Sequence, residues 1–194
     1  MSPFRRWLVK WSRTVHLYAT LLALVAILFF TATGFMLNHE DWFGTSDPRM
    51  VTVEGTVPTA LLKEPDKLVI VELLRKDFRA VGAMSSFETE EDQLRVVFKR
   101  PGTEVSATIK RDTGETETTI MTRGLAGLML DLHRGKSTGT PWSLLIDLTC
   151  VALAAIAATG IVLWWTLKGR GHYGILVILA GLALSAIAYW YGVP

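Results

Sequence analysis

Charged residues are absent from three long stretches of the chain. No Lys, Arg, Asp or Glu occurs in 15–37, 148–167 or 173–193, and each stretch has at least 20 residues. About 20 helical residues cross a bilayer core of ~30 Å, and hydrocarbon offers no partner to an unpaired backbone group. We therefore predict a membrane protein with three transmembrane helices, at 15–38, 141–167 and 173–193.

Acidic residues are absent from the two short segments that flank these stretches. Segments 1–14 and 168–172 together carry six basic residues and no acid, whereas 40–136 carries 14 basic and 17 acidic residues. An excess of Lys and Arg marks the cytoplasmic side of a membrane protein. We expect a bacterial inner-membrane protein with a cytoplasmic N-terminus (1–14) and a cytoplasmic link (168–172). The inserted segment (39–140) and the C-terminus would then be periplasmic, and no nucleic-acid partner is expected.

Cysteine is absent from the inserted segment, and histidine occurs there only at His39 and His133, near its two ends. The only cysteine, Cys150, lies in the second apolar stretch, so no disulfide is expected outside the membrane. No histidine occurs between His39 and His133, and no glycine-rich phosphate loop is present there. We therefore expect the inserted segment to carry out no covalent chemistry of its own.

The inserted segment has the patterns of a small α+β domain. Pro65 is well placed at a first helical position, and apolar residues follow at helical spacing. They are Leu68, Val71, Leu74 and Phe78. After Gly82 the alternation of apolar and polar residues is typical of strands, with turns at 101–102 and 112–114. We predict one helix packed on a small antiparallel meander, with the acidic run 88–92 as a solvated loop rather than a cation site.

All four histidines lie at the borders of the apolar stretches. His16 opens the first stretch and His39 follows its end, while His133 precedes the second and His172 begins the third. Imidazole is a common ligand of haem iron. At 1.5 Å per helical residue, His16 and His39 are about 35 Å apart and cannot share an iron. The predicted topology instead pairs His39 with His133 near the outer face and His16 with His172 near the inner face.

Two bis-histidine haems at these positions would form a path for electrons across the bilayer. An isolated histidine at headgroup depth is more often structural than a ligand, so a structural role is the alternative for each of the four. Arg134 and Lys136 add a basic spot beside His133. They could contact haem propionates, an anionic ferric chelate or lipid phosphates.

The first two apolar stretches contain related sequences near their ends. These are Ala32-Thr33-Gly34 in the first and Ala158-Thr159-Gly160 in the second. Small residues allow membrane helices to approach closely. We interpret both A-T-G triplets as packing positions that bring the first two helices together.

Several motifs together resemble the PepSY-associated transmembrane family. They are A-T-G-F-M-L-N-H at 32–39, I-K-R-D-T-G-E at 109–115, D-L-H-R-G at 131–135 and L-I-D-L…A-T-G-I-V-L-W at 145–164. The resemblance implies a PepSY-like domain, of helix and meander, in the inserted segment. It also implies larger relatives that reduce ferric siderophores at the inner membrane and carry b-type haem on membrane histidines. Free PepSY domains, in contrast, look like inhibitory or chaperoning modules for peptidases.

These observations predict transmembrane electron transfer through one or two b-type haems held by His39, His133, His16 and His172. The chain would support reduction of an external ferric or metal chelate, as a component of a haem-dependent ferric reductase. A quinol or a cytoplasmic flavoprotein would supply electrons, because no flavin or nicotinamide motif is present. Three helices are fewer than the reductase-like relatives have, so we expect a partner membrane subunit or a homo-oligomer within the lipid. The alternative is a non-catalytic accessory subunit whose outer domain regulates a larger membrane complex or a peptidase.

Overall fold

A computed structural model describes residues 2–45, 47–166 and 171–193. Three of its helices are long and apolar enough to cross a membrane: α1 (Pro3–Asn38), α5 (Thr140–Trp165) and α6 (Gly171–Gly192). The three predicted membrane helices are therefore present, and α1 begins at Pro3, well before its apolar stretch. Residues 168–170 of the predicted link lie outside the described residues.

An α+β domain is inserted between α1 and α5. Its elements are a 3-10 helix (Glu40–Phe43), β1 (Arg49–Thr56), α2 (Ala60–Lys63), α3 (Lys67–Asp77), β2 (Ala83–Thr89), β3 (Gln93–Arg100), β4 (Thr103–Lys110), β5 (Glu115–Thr122) and α4 (Gly124–Arg134). The strands form one antiparallel sheet in the order β1-β5-β4-β3-β2. The predicted meander is confirmed as β3 to β5, whereas β1, β2 and α4 were not predicted.

Helix α3 covers one face of this sheet. Asp66 caps its N-terminus, because the carboxylate accepts from the backbone N–H of Leu68 at 2.8 Å. The prediction that Pro65 occupies the first helical position is therefore wrong. Leu68, expected to face the core, is 70% exposed, and Ile70 is buried instead. The core that α3 forms with the sheet includes Ile70, Val71, Leu74, Phe78, Leu94, Val96, Phe98, Val105, Ala107 and Ile109.

The D-T-G turn between β4 and β5 holds the segment that follows β1. The carbonyl of Gly114 accepts from the backbone N–H of Val57 at 2.8 Å. Gly114 has φ of +75°, and a Cβ there would lie 2.0 Å from the carbonyl oxygen of Val57. Only glycine fits this turn. The acidic residues of 88–92 are exposed at the end of β2 and in the β2–β3 turn.

The chain divides into two compact units. One consists of Met1–Ile27 with Asp147–Pro194, and the other of Leu28–Ile146. The first unit contains the N-terminal part of α1, most of α5, and α6. The second contains the C-terminal part of α1, the α+β domain and the first turns of α5.

Candidate functional site

His133 lies in the last turn of α4, the helix that leads from the sheet to α5. Its Nδ1 atom is 2.7 Å from the hydroxyl oxygen of Thr33 on α1, and Thr33 is only 3% exposed. That hydroxyl donates its one proton to the carbonyl of Phe29, at 2.7 Å. With its proton on the Phe29 carbonyl, the Thr33 oxygen can accept from the ring, and this arrangement favours the tautomer of His133 with the proton on Nδ1.

The ring of His133 packs on the surface of α1. Phe30 meets it edge-on, with 5.3 Å between the ring centres. A Cβ added at Gly34 would lie 3.3 Å from Cε1 of His133, so glycine leaves the space that the ring occupies. Trp142 of α5 donates from its Nε1 to the carbonyl of Leu132 at 2.8 Å, which ties the end of α4 to the start of α5.

His16 makes a matching contact between α1 and α5. Its Nδ1 atom is 3.0 Å from the hydroxyl of Thr159 and 3.1 Å from the carbonyl oxygen of Ile156. A carbonyl oxygen only accepts, and the Thr159 hydroxyl donates to the carbonyl of Ala155 at 2.6 Å. Nδ1 of His16 therefore carries a proton as well. A Cβ at Gly160 would lie 3.6 Å from Cε1 of His16.

The two contacts have the same composition, and we refer to them as the His133 site (His133, Thr33, Gly34) and the His16 site (His16, Thr159, Gly160). Each A-T-G triplet receives a histidine from another segment of the chain. The sequence identified the triplets as packing positions and the histidines as candidate ligands. The sequence did not show that each triplet contacts a histidine, although Thr directly precedes Gly in both triplets.

Both sites leave the same atom of the histidine ring available. Because Nδ1 carries the proton, the neutral ring has its lone pair on Nε2. Within the described residues, the hydrogen bonds of both rings are made through Nδ1. In this tautomer, Nε2 of each ring offers its lone pair to a metal ion.

The other two histidines have different surroundings. His39 lies between α1 and the 3-10 helix, and its ring stacks on Trp42 with 4.1 Å between centres and 16° between planes. His172 is exposed in the first turn of α6. His39 lies in the same compact unit as His133, and His172 in the same unit as His16. The pairing of these histidines around a shared iron stays a prediction.

The D-L-H-R-G segment positions His133 through its neighbours. The Oδ2 atom of Asp131 accepts from the backbone N–H of Gly102 at 2.8 Å and from Arg123 at 2.6 Å, which fixes α4 to the β3–β4 turn. Arg134 pairs with Glu40, beyond the end of α1. Gly135 ends α4 in the left-handed conformation, with φ of +65°. Arg134 of the predicted basic spot is thus engaged in an ion pair.

The fold and these motifs agree with the comparison to protein families. The family model described as PepSY_TM-like matches residues 6–194, a range that includes both histidine sites. No curated protein and no solved structure gives a significant match. The family assignment covers nearly the whole chain, including α6, which the sequence motifs had left out. The chain belongs to the PepSY_TM-like family of membrane proteins.

Proposed function

We propose that this protein transfers electrons across the bacterial inner membrane through b-type haem and supports reduction of an external ferric or metal chelate. His16 and His133 are the proposed primary iron ligands. His172 and His39 are the proposed second ligands, at the inner and outer sites respectively.

The hydrogen bond made by Nδ1 in both sites, which favours a proton on that nitrogen, is the observation that carries this proposal. A histidine that binds iron through Nε2 usually donates its Nδ1–H to a fixed acceptor, which orients the ring and makes Nε2 more basic. His133 donates to Thr33 at 2.7 Å, and His16 donates to Thr159 and Ile156 at 3.0 and 3.1 Å. The same hydrogen bond through Nδ1 therefore occurs twice, once between α4 and α1 and once between α1 and α5.

The residues present fit haem in their donor chemistry. Each proposed pair, His39 with His133 and His16 with His172, lies within one compact unit. Trp42 stacks on a face of the His39 ring, so an iron bound by this histidine would lie at the ring edge, where both nitrogens are. Haem would supply a one-electron iron couple when bound. The chain would hold the iron and keep water from it.

The distribution of charge along the chain supports the proposed orientation of the protein in the membrane. The six basic residues of 1–14 and 168–172 favour a cytoplasmic location for both segments, and the α+β domain would then be periplasmic. The proposed electron donor is a quinol or a cytoplasmic flavoprotein. A partner membrane subunit or a second copy of the chain would complete the electron path.

The test is the visible absorption spectrum of the detergent-purified protein, oxidised and then reduced with dithionite. We expect the bands of low-spin b-type haem. His133→Ala and His39→Ala should each remove the outer haem, and His16→Ala and His172→Ala the inner one. Thr20→Val is a matched control on α1, because the Thr20 hydroxyl donates within its own helix, to the backbone carbonyl of His16 at 2.6 Å.

A correctly folded protein without haem would reject this proposal and favour the accessory subunit. One observation specifically supports that second candidate. β1 is an edge strand whose first four residues are exposed, and Met50 among them is 63% exposed. An open edge can accept a strand from another protein. In that case, adding a charge on the edge by Val51→Lys should release a co-purifying partner, while Lys76→Gln on α3 should not.

A further inference from the structure

Both backbone groups of Gly102, in the β3–β4 turn, are bonded to the segment that forms α4. The N–H of Gly102 donates to Oδ2 of Asp131 at 2.8 Å, and its carbonyl accepts from the backbone N–H of Arg123 at 2.9 Å. The guanidinium of Arg123 donates to the same Oδ2 at 2.6 Å. Asp131 is only 2% exposed, and hydrogen bonds to a charged group are stronger than neutral ones. The turn therefore holds α4 both at its start and near its end.

The backbone of α4 also packs directly on this turn. Gly102 has φ of +74°, and a Cβ there would lie 2.8 Å from the backbone nitrogen of Leu128 and 3.0 Å from its Cα. No side chain lies between the two backbones at this point, so none can move aside to absorb a shift. The position of the turn thus sets the position of the helix.

The last turn of α4 carries His133 to α1. Asp131 and His133 are two residues apart on this helix, and Nδ1 of His133 is 2.7 Å from the hydroxyl of Thr33. Hydrogen bonds of this kind weaken beyond about 3.2 Å, so a shift of α4 by half an ångström is enough to loosen the contact. The turn, α4 and this part of α1 all belong to one compact unit. A continuous series of contacts therefore joins Gly102 to Thr33.

We propose that Gly102 and Asp131 are positioning residues for His133, so that the β3–β4 turn couples the α+β domain to the His133 site. Moving the turn changes the distance from Nδ1 to Thr33, and with it the orientation of the ring and the availability of Nε2. The proposal rests on the function proposed above only in naming haem as the ligand. Substitutions in such packed networks change the affinity of a coupled site by roughly two-fold to thirty-fold.

The experiment uses nitrogen-15 NMR of the full-length, histidine-labelled protein in detergent. Gly102→Ala places a methyl group against the backbone of Leu128 and pushes α4 from the turn. We expect the His133 signal to change from the Nδ1–H form to a mixture of tautomers. The His16 signal should stay unchanged in the same sample, because His16 lies in the other compact unit. Haem at the outer site should bind roughly two-fold to thirty-fold more weakly, while the inner haem is retained.

Gly114→Ala is the matched control. Gly114 also has a positive φ in a turn of the same sheet, but its new Cβ would lie 2.0 Å from the carbonyl oxygen of Val57, away from α4. This variant should lower the thermal stability and leave the His133 signal in place. Arg123→Gln is a milder second variant, since it removes one bond to Asp131 and keeps both backbone bonds of Gly102. We expect a smaller change of the His133 signal in the same direction.

Three results would overturn the positioning role. They are an unchanged His133 signal in both Gly102→Ala and Arg123→Gln, an equal change in Gly114→Ala, and equal changes at His16 and His133. The outcome is also independent of the proposed electron transfer. A change confined to His133 in a protein without haem would confirm the positioning role and reject haem as the ligand. Haem bound at full affinity in Gly102→Ala, with an unchanged His133 signal, would do the reverse.

Discussion

Replacing Thr33 by Val tests the central contact of the His133 site. Valine has the shape of threonine, so the packing of α1 is kept while the hydroxyl is lost. Nδ1–H of His133 then loses the acceptor that lies 2.7 Å away. Thr159→Val makes the same change at the His16 site, but the carbonyl of Ile156, at 3.1 Å from Nδ1, still accepts. The structure therefore predicts unequal effects from two chemically identical substitutions.

The expected magnitudes follow from the hydrogen bonds that are lost. A neutral hydrogen bond contributes about 0.5–1.5 kcal/mol net, and those between membrane helices average about 0.6 kcal/mol. Since Thr33→Val leaves a half-buried donor unpaired, we expect a loss of about 1 kcal/mol. That loss corresponds to a fall in Tm of about 2–4 °C for a chain of this size. Thr159→Val should cost less than about 0.5 kcal/mol, because one acceptor is retained.

Two measurements check this prediction in detergent. Thermal unfolding followed by circular dichroism gives the difference in stability. Nitrogen-15 NMR of histidine-labelled protein shows which ring nitrogen carries the proton. In Thr33→Val the His133 signal should change from the Nδ1–H form to a mixture of tautomers, and any haem at that site should bind 10–100-fold more weakly, about the usual effect of losing such a partner.

Two controls define the result that would refute the reasoning. Thr33→Ser keeps the hydroxyl and should behave like the native protein, and Thr20→Val should leave both histidine signals in place. If Thr159→Val were as damaging as Thr33→Val, the carbonyl of Ile156 would not be an acceptor for His16. If Thr33→Ser and Thr33→Val were equally damaging, the hydroxyl would not orient His133.

Three further predictions concern packing, ion pairs and topology. Gly34→Ala should displace the His133 ring, because the new Cβ would lie 3.3 Å from Cε1 of His133. At Gly160 the new Cβ would lie 3.6 Å from Cε1 of His16, so Gly160→Ala should be neutral or should stabilise the protein by up to about 1 kcal/mol. Unfolding in detergent measures both effects. Asp131→Asn should lower the free energy of unfolding by about 1–3 kcal/mol, because the buried carboxylate of Asp131 fixes α4 to the β3–β4 turn. Arg134→Gln removes an exposed ion pair and should lower it by less than about 1 kcal/mol. Equal losses in the two variants would contradict this order. In a Cys150→Ala background, a cysteine at Ser86 should react with an impermeant thiol reagent in intact cells and one at Ser2 should not, and the reverse pattern would invert the proposed topology.

The membrane helices and the central strands could be predicted because their patterns are long or strictly alternating. β1 and β2 were missed because edge strands bury few side chains and therefore show weaker alternation. α4 was missed for a different reason. It contains Gly124 and Gly127, which disfavour a helix, and its place is fixed by the tertiary contacts of Asp131 with Gly102 and Arg123.

The candidate site was predictable only in its parts. The histidines and the A-T-G triplets are visible in the sequence, and the likeness of the two triplets was recognised. Which histidine meets which triplet depends on how three helices approach one another. Which ring nitrogen carries the proton is inferred from three contacts with backbone carbonyls: Thr33 with Phe29, Thr159 with Ala155, and His16 with Ile156. No sequence pattern encodes these distances. Leu68 shows the same limit, since helical spacing alone placed it in the core.

The two histidine contacts also constrain how the protein is made. His133 is 100 residues from Thr33, and Thr159 is 143 residues from His16. During synthesis α1 enters the membrane first, with His16 and Thr33 both lacking their partners. The His133 site needs only α4 in addition to α1, whereas the His16 site is not complete until α5 has left the ribosome and inserted. The two sites therefore form in sequence during synthesis, and a ligand that needs the oriented ring of His16 is loaded only after translation of α5.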